Sequence, residues 1–219
     1  MKKIPYDDIA CCAVFAAMLI LCLHAYVSGY CSDYERNTGV FCSFICLLPA
    51  ALKHLKLVTL PAPFILLILL AVSLHAFGVL YFSYDELYYY DNITHSLSSA
   101  VVTVCVFLTM LCYHVMSGKV DFAGKTLAVA VAMIMVGFSV YWELLEYAVD
   151  TISGINMQYS PLDTVRDMIC NTAASAAASA LMHRYASRRT PEAVVEALEL
   201  HPALAGFIAD RRGLCAVVK

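Results

Sequence analysis

Residues 60–82 read LPAPFILLILLAVSLHAFGVLYF, 23 positions without a charged side chain. A helix rises 1.5 Å per residue, so crossing the hydrocarbon core of a bilayer takes about 20 mainly apolar residues. This run meets that requirement and predicts a spanning helix. Residues 9–29, 92–116, 126–149 and 162–185 are comparable runs on either side of it. Residues 39–52 form a shorter apolar run that ends at Lys53. Its 14 residues cover about 21 Å against a core of about 30 Å. It crosses only if Asn37 and Thr38 join it and Lys53 snorkels; otherwise it is re-entrant. The expected fold is therefore all-α, a polytopic membrane helix bundle of about six transmembrane helices. The bundle occupies residues 1–185, and an amphipathic tail occupies 186–219.

Composition agrees. Apolar residues make up 62% of the chain and charged residues 14%. Soluble domains average about 45–50% and 25%, so a water-soluble fold could not hide this much apolar surface. The net charge of -3 excludes a broad nucleic-acid surface. The bilayer is the expected partner, and the oligomeric state is left open. The ten cysteines show no C-x-x-C spacing, so they read as small packing residues and not as a zinc or redox site.

Lysine and arginine collect on the cytoplasmic side of short loops. With the N-terminus inside, that side receives Lys2, Lys3, Lys53, Lys56, Lys119, Lys125, Arg184, Arg188 and Arg189. The other side receives Arg36 and Arg166. The bias predicts both termini in the cytoplasm, in a multi-pass protein of the cell (inner) membrane. The first apolar run exceeds the 7–15 residues of a signal-peptide core, so it is expected to remain as a helix; the alternative is cleavage at the small residues of Val27 to Gly29. In the tail, Thr190-Pro191-Glu192 has the form of a helix start, and His201-Pro202 breaks the amphipathic pattern that begins there. That tail either lies on the inner membrane surface or packs as a short helical hairpin on the bundle.

Charges inside a spanning helix cost about 2.5–3.5 kcal/mol near its centre, so they usually face protein or water and carry function. Here they fall at three helix ends on one side. Asp91 and His95 open the fourth run; Glu143, Glu146 and Asp150 close the fifth; Asp163, Arg166, Asp167 and Asn171 open the sixth. Spacings of three and four residues make each group a stripe on one helix face. Three such stripes can converge on a cavity open to the outside. Carboxylates gathered in that way need a counter-charge, which Arg166 or a divalent metal can supply. His and carboxylates suit Zn, Fe or Mn. The candidate ligands are His95, Asp91, Asp163 and Asp167. Glu143 and Glu146 are the candidate bases, and Arg166 is a candidate clamp for an anionic headgroup. The plainer alternative also stands: interfacial acids serve as solvated caps, and Arg166 pairs with a glutamate for structure alone. No H-E-x-x-H motif is present.

His24 and His75 lie in apolar runs and read as hydrogen-bonded packing residues or as extensions of the same cavity. Tyr81, Tyr84, Tyr88, Tyr89 and Tyr90 crowd one interface as an aromatic belt does. The AASAAASA run of the last span reads as a packing device. Asn92-Ile93-Thr94 matches a glycosylation sequon, which its place at the membrane surface makes accidental.

These residues also carry a resemblance. Tyr90, Asp91 and His95, a glutamate of WELLEY, then Gln158, Asp163, Thr164, Asp167 and Met168 resemble the pattern of the YjdF-like family of bacterial and archaeal inner-membrane proteins. Asp167 and Asn171 resemble, more distantly, the VanZ-like pattern. The resemblance spans residues 60–185. It implies an envelope protein of the inner membrane and no defined reaction. Three functions are expected: a metal-binding or lipid- and envelope-acting site at the outer face, a proton- or ion-coupled transporter, and a structural accessory protein of the envelope.

Overall fold

The computed structural model describes residues 6–209 except 82, 88, 118, 123 and 155, together with the backbone but not the side chains of 83, 85 and 153. Lys2, Lys3, Tyr88 and the end of the tail, residues 210–219, lie outside the described residues. The chain is helical throughout its regular elements. They are α1 (Tyr6–Val27), α2 (Asp33–Ile45), α3 (Leu48–His54), α4 (Ala62–Leu80), α5 (Ser83–Glu86), α6 (Tyr90–Ser117), α7 (Thr126–Ser153), α8 (Pro161–Arg189), α9 (Pro191–Glu196) and α10 (Pro202–Ile208). Among the described residues there is no strand. Four helices are long and apolar enough to cross a membrane: Tyr6–Val27, Ala62–Leu80, Tyr90–Ser117 and Thr126–Ile152.

The chain divides into two compact units. Unit 1 holds the residues up to Tyr90 and those from Glu196 on; unit 2 runs from Asp91 to Val195. In unit 1, α1, α2 and α4 pack together around three small layers. These are Cys11, Cys46, Ile65 and Leu69; then Met18, Cys42 and Ala76; then Cys22, Ala25 and Leu80. Cys11, Cys22, Cys42 and Cys46 are free and buried, which is the packing use expected of them.

The second apolar run begins earlier than its hydrophobicity suggests. Ser32 caps α2 by accepting from the Glu35 amide (3.4 Å), and Glu35 accepts from the Ser32 amide (2.6 Å). This reciprocal pair places the helix start at Asp33, six residues ahead of the apolar stretch. The helix is then interrupted. Pro49 has no amide to donate, and its ring crowds the carbonyl four residues back. The Cys46 amide is shared between the Cys42 and Ser43 carbonyls, the Leu47 amide tightens onto Phe44, and a new helix starts at Leu48. Lys53 does not simply snorkel outward. Its ammonium lies 2.6 Å from both Asp7 and Asp8, and His54 lies 3.1 Å from Asp8, so α3 is tied to the start of α1. Burial pulls the Lys53 pKa down, but its bonds to the two carboxylates outweigh this and hold it above the usual lysine value.

Two histidines of unit 1 are satisfied by tyrosines. His24 Nδ1 lies 2.9 Å from the Tyr81 hydroxyl, and His75 Nδ1 lies 2.7 Å from that of Tyr84. Tyr90 donates to the Leu74 carbonyl at 2.6 Å, and its ring meets Tyr84 edge-on. Gly78 makes room for both rings: a Cβ there would sit 2.5 Å from each. The rings are held by each other and by the Tyr90 hydroxyl bond, so they cannot both retreat. Gly78→Ala is expected to destabilise the protein by about 1–3 kcal/mol, the usual cost of overpacking. Thermal unfolding in detergent would register this as a lower Tm. An unchanged Tm would show that the rings yield.

The tail is strapped to the segment before α4. The Thr59 amide donates to Leu198 O (2.7 Å), the His201 amide donates to Leu57 O (3.0 Å), and the Thr59 hydroxyl bonds Glu199 (2.8 Å). Leu198 is buried beneath this strap.

Unit 2 is built from α6, α7 and α8, and part of it is reversed relative to a soluble bundle. On α7, Val129, Met133, Val136, Val140 and Leu144 are exposed, while Ser139, Glu143 and Glu146 are buried. Nearer its start α7 buries Leu127, Val131 and Met135, so the polar interior is confined to its later turns, where the apolar exterior is the pattern the hydrocarbon solvent selects. Although α8 is 29 residues long, it falls outside the four apolar candidates. The reason is its composition, rich in Ala and Ser with Asp163, Arg166 and Asp167 in its first turns. These small residues let it lie close along α7, where Ser179 donates to Ala128 O at 2.7 Å.

Candidate functional site

Each helix of unit 2 delivers its polar stripe to one place. On α6, Asp91 and His95 are one turn apart, with His95 Nε2 3.4 Å from Asp91 Oδ1. The same Nε2 lies 3.7 Å from Glu146 Oε1 of α7. The other ring nitrogen, Nδ1, lies 3.2 Å from the Asn171 amide nitrogen of α8. Asn92 donates to Asp167 Oδ1 at 2.8 Å, and Ser99 donates to Asn171 Oδ1 at 2.7 Å. His95, Glu143, Glu146, Asp167 and Asn171 are all buried. Burying such charges is costly unless each finds a partner or an ion.

The two glutamates differ in what holds them. Glu146 accepts from the Trp142 indole N–H at 2.7 Å, one turn back on α7. Glu143 is met by the Gln158 amide, which donates to its backbone carbonyl (2.9 Å) and, at 3.5 Å, to Oε2. The remaining oxygen, Glu143 Oε1, is buried with no hydrogen-bond partner among the described residues. Gln158 is itself fixed. Gly154 closes α7 in the left-handed conformation (φ 67°), turning the chain back. The Asp150 carboxylate then accepts from the amides of Met157 (2.7 Å) and Gln158 (2.9 Å). Asp150 is thus a clamp on the loop that aims Gln158.

After that loop, Ser160 caps α8 by accepting from the Asp163 amide at 3.2 Å, and Pro161 sits in the first turn. Asp163 pairs with Arg166 at 3.7 Å.

Two groupings have one ligand atom per residue, all within 4.8 Å of one another: Asp91, His95 and Asp167, and His95, Glu143 and Glu146. Of the seven residues named from the sequence, five therefore meet, while Asp163 and Arg166 fall outside both groupings and join each other. Ligands about 2.1 Å from an ion stand roughly 3–4 Å apart, so small side-chain adjustments bring either set onto a metal. Asn92, Ser99 and Trp142 are site residues that charge alone does not reveal. The one sequence signal for Asn92 and Ser99 is their spacing from His95 on the helix.

Apolar helices enclosing a buried set of acids and one imidazole define an all-helical membrane protein. The chain belongs to the family described as "Predicted membrane protein (DUF2238)", whose model matches residues 9–188. No curated protein and no solved structure matches the chain.

Proposed function

We infer that the protein binds a divalent transition metal between His95, Glu143 and Glu146, at the extracytoplasmic end of a six-span bundle. The observation that carries this reading is Glu143, which has a buried carboxylate oxygen, Oε1, without a partner among the described residues and offers one carboxylate oxygen within 4.8 Å of the His95 and Glu146 ligand atoms. The second grouping is less suited to a first ion, because among the described residues neither Asp91 nor Asp167 has a buried carboxylate oxygen without a partner. Asp91 and Asp167 then serve as outer acids that balance the charge. One imidazole among carboxylates favours Mn(II) or Fe(II) over thiolate-preferring metals.

The topology of this reading is six spans with both termini in the cytoplasm. The supporting features are the charge bias of the loops, the near-continuity of α2 with α3, and the length of α8. The likeness of the Asp91–His95 and Gln158–Asp167 patterns to YjdF-like and VanZ-like proteins supports a place in the inner membrane and a role in the cell envelope. Within such a role, Arg166 at the mouth of α8 would meet an anionic lipid headgroup.

Purified protein, incubated with Mn(II), Fe(II) or Zn(II) and freed of excess ion, is expected to retain about one metal per chain. Occupancy should fall as pH is lowered, because protons compete for the same ligands. Elemental analysis of the protein peak reads both. Retention of none of the three metals would end this reading.

A further inference from the structure

The polar lining of unit 2 does not stop at the acids. Asp167, Asn171, Ser175 and Ser179 succeed one another every four residues along α8, and all four are buried. Each step advances about 40° around the helix, so the four stay within an arc of about 120° over roughly 18 Å. Asp163 precedes them and the half-buried His183 comes next at the same interval. From Asp163 to His183 the row covers about 30 Å, the thickness of a bilayer's hydrocarbon core, and winds about 200° around the helix. The other helices carry buried polar groups of their own. Ser99 of α6 bonds Asn171, and Thr103, one turn further on, is fully buried. Ser139 of α7 is buried one turn from Glu143.

Two of these hydroxyls decide what the row is for. Ser139 Oγ and Ser175 Oγ are both buried without a hydrogen-bond partner among the described residues. If close helix packing were the whole purpose, alanine would serve without that penalty, as it does at the buried Ala178 of the same helix. Buried hydroxyls are satisfied in folded proteins, by water where protein atoms do not reach them.

We propose that this seam is a hydrated proton path joining the His95 and carboxylate cluster to the opposite end of α8, so that unit 2 conducts protons. In each hop a water or hydroxyl oxygen takes a proton from one neighbour and releases its own to the next, leaving every bond count unchanged. The seam beyond Asn171 has no fixed charge before His183 and few oxygens per turn. It can pass a proton between waters but cannot replace the hydration shell of a metal ion.

The test uses the full chain in liposomes enclosing a pH-sensitive dye, with a potassium diffusion potential as the driving force. EDTA is present throughout, so the result does not depend on the metal reading. Wild-type vesicles are expected to acidify faster than protein-free ones. The Ser139→Val/Ser175→Val pair should fall to the protein-free rate, and Ser139→Thr/Ser175→Thr, which keeps the hydroxyls, should conduct. Where the valine pair does not fold, Ser139→Ala/Ser175→Ala provides the same contrast. Wild-type acidification no faster than that of empty vesicles would overturn the proposal. So would full conduction by hydroxyl-free variants.

Discussion

His95→Ala is expected to lower metal affinity by more than about 100-fold, beyond the 10–100-fold seen when only an outer partner of a ligand is lost. The imidazole is shared by both ligand groupings, so its removal leaves only carboxylates around the ion. Those carboxylates also lose a nitrogen that lies close to both Asp91 and Glu146, and their mutual repulsion opposes the closeness that binding needs. Titration of the metal into the purified variant measures the affinity, and circular dichroism verifies that the helices persist. An affinity within a few-fold of wild type would move the ion away from His95 and end the assignment.

Asn171→Leu is expected to weaken the metal by about 10–100-fold without touching a ligand. For Nε2 to hold an ion it must be unprotonated, so the ring proton sits on Nδ1 and needs an acceptor. Asn171 presents its amide nitrogen to Nδ1 and its oxygen to Ser99. A half-turn of the amide reverses the two. His95 Nδ1–H then donates to Asn171 Oδ1, and the amide nitrogen donates to the Ser99 hydroxyl, which can accept as well as donate. Leucine offers neither group and leaves the ring proton and the Ser99 hydroxyl without partners. Asn171→Asp keeps an acceptor and should bind metal near the wild-type level. Equal binding by all three forms would show that Asn171 only fills space.

Much of the fold is legible in the sequence because hydrophobic length is a strong signal. The runs at 9–29, 60–82, 92–116 and 126–149 fall on the helices Tyr6–Val27, Ala62–Leu80, Tyr90–Ser117 and Thr126–Ser153. The start of the second run is harder to read, because Asp33, Glu35 and Arg36 look hostile to a spanning helix. The Ser32-x-x-Glu35 capping pair is nevertheless the signal that marks it. At the site, charge and spacing bring out Asp91, His95, Glu143, Glu146 and Asp167. Neither property separates these from Asp163 and Arg166, which lie in the first turns of α8 but turn to each other. That choice depends on side-chain direction at a helix start. In the sequence, Ser175 and Ser179 read as packing, since small residues in a span serve that purpose equally well. Ser179 keeps that reading by donating to Ala128 O, and only the buried hydroxyl of Ser175, without a partner among the described residues, has a second meaning.

The strap between the tail and the segment before α4 bears on how the protein is made. Thr59 and its partner Glu199 are 140 positions apart in the chain. A ribosome adding about 5–20 residues per second delivers that stretch over a time on the order of ten seconds. Through that interval the Thr59 amide and the Leu57 carbonyl wait for their partners while α6, α7 and α8 are still being made. Unit 1 is therefore completed last, by chain synthesised after all the helices of unit 2.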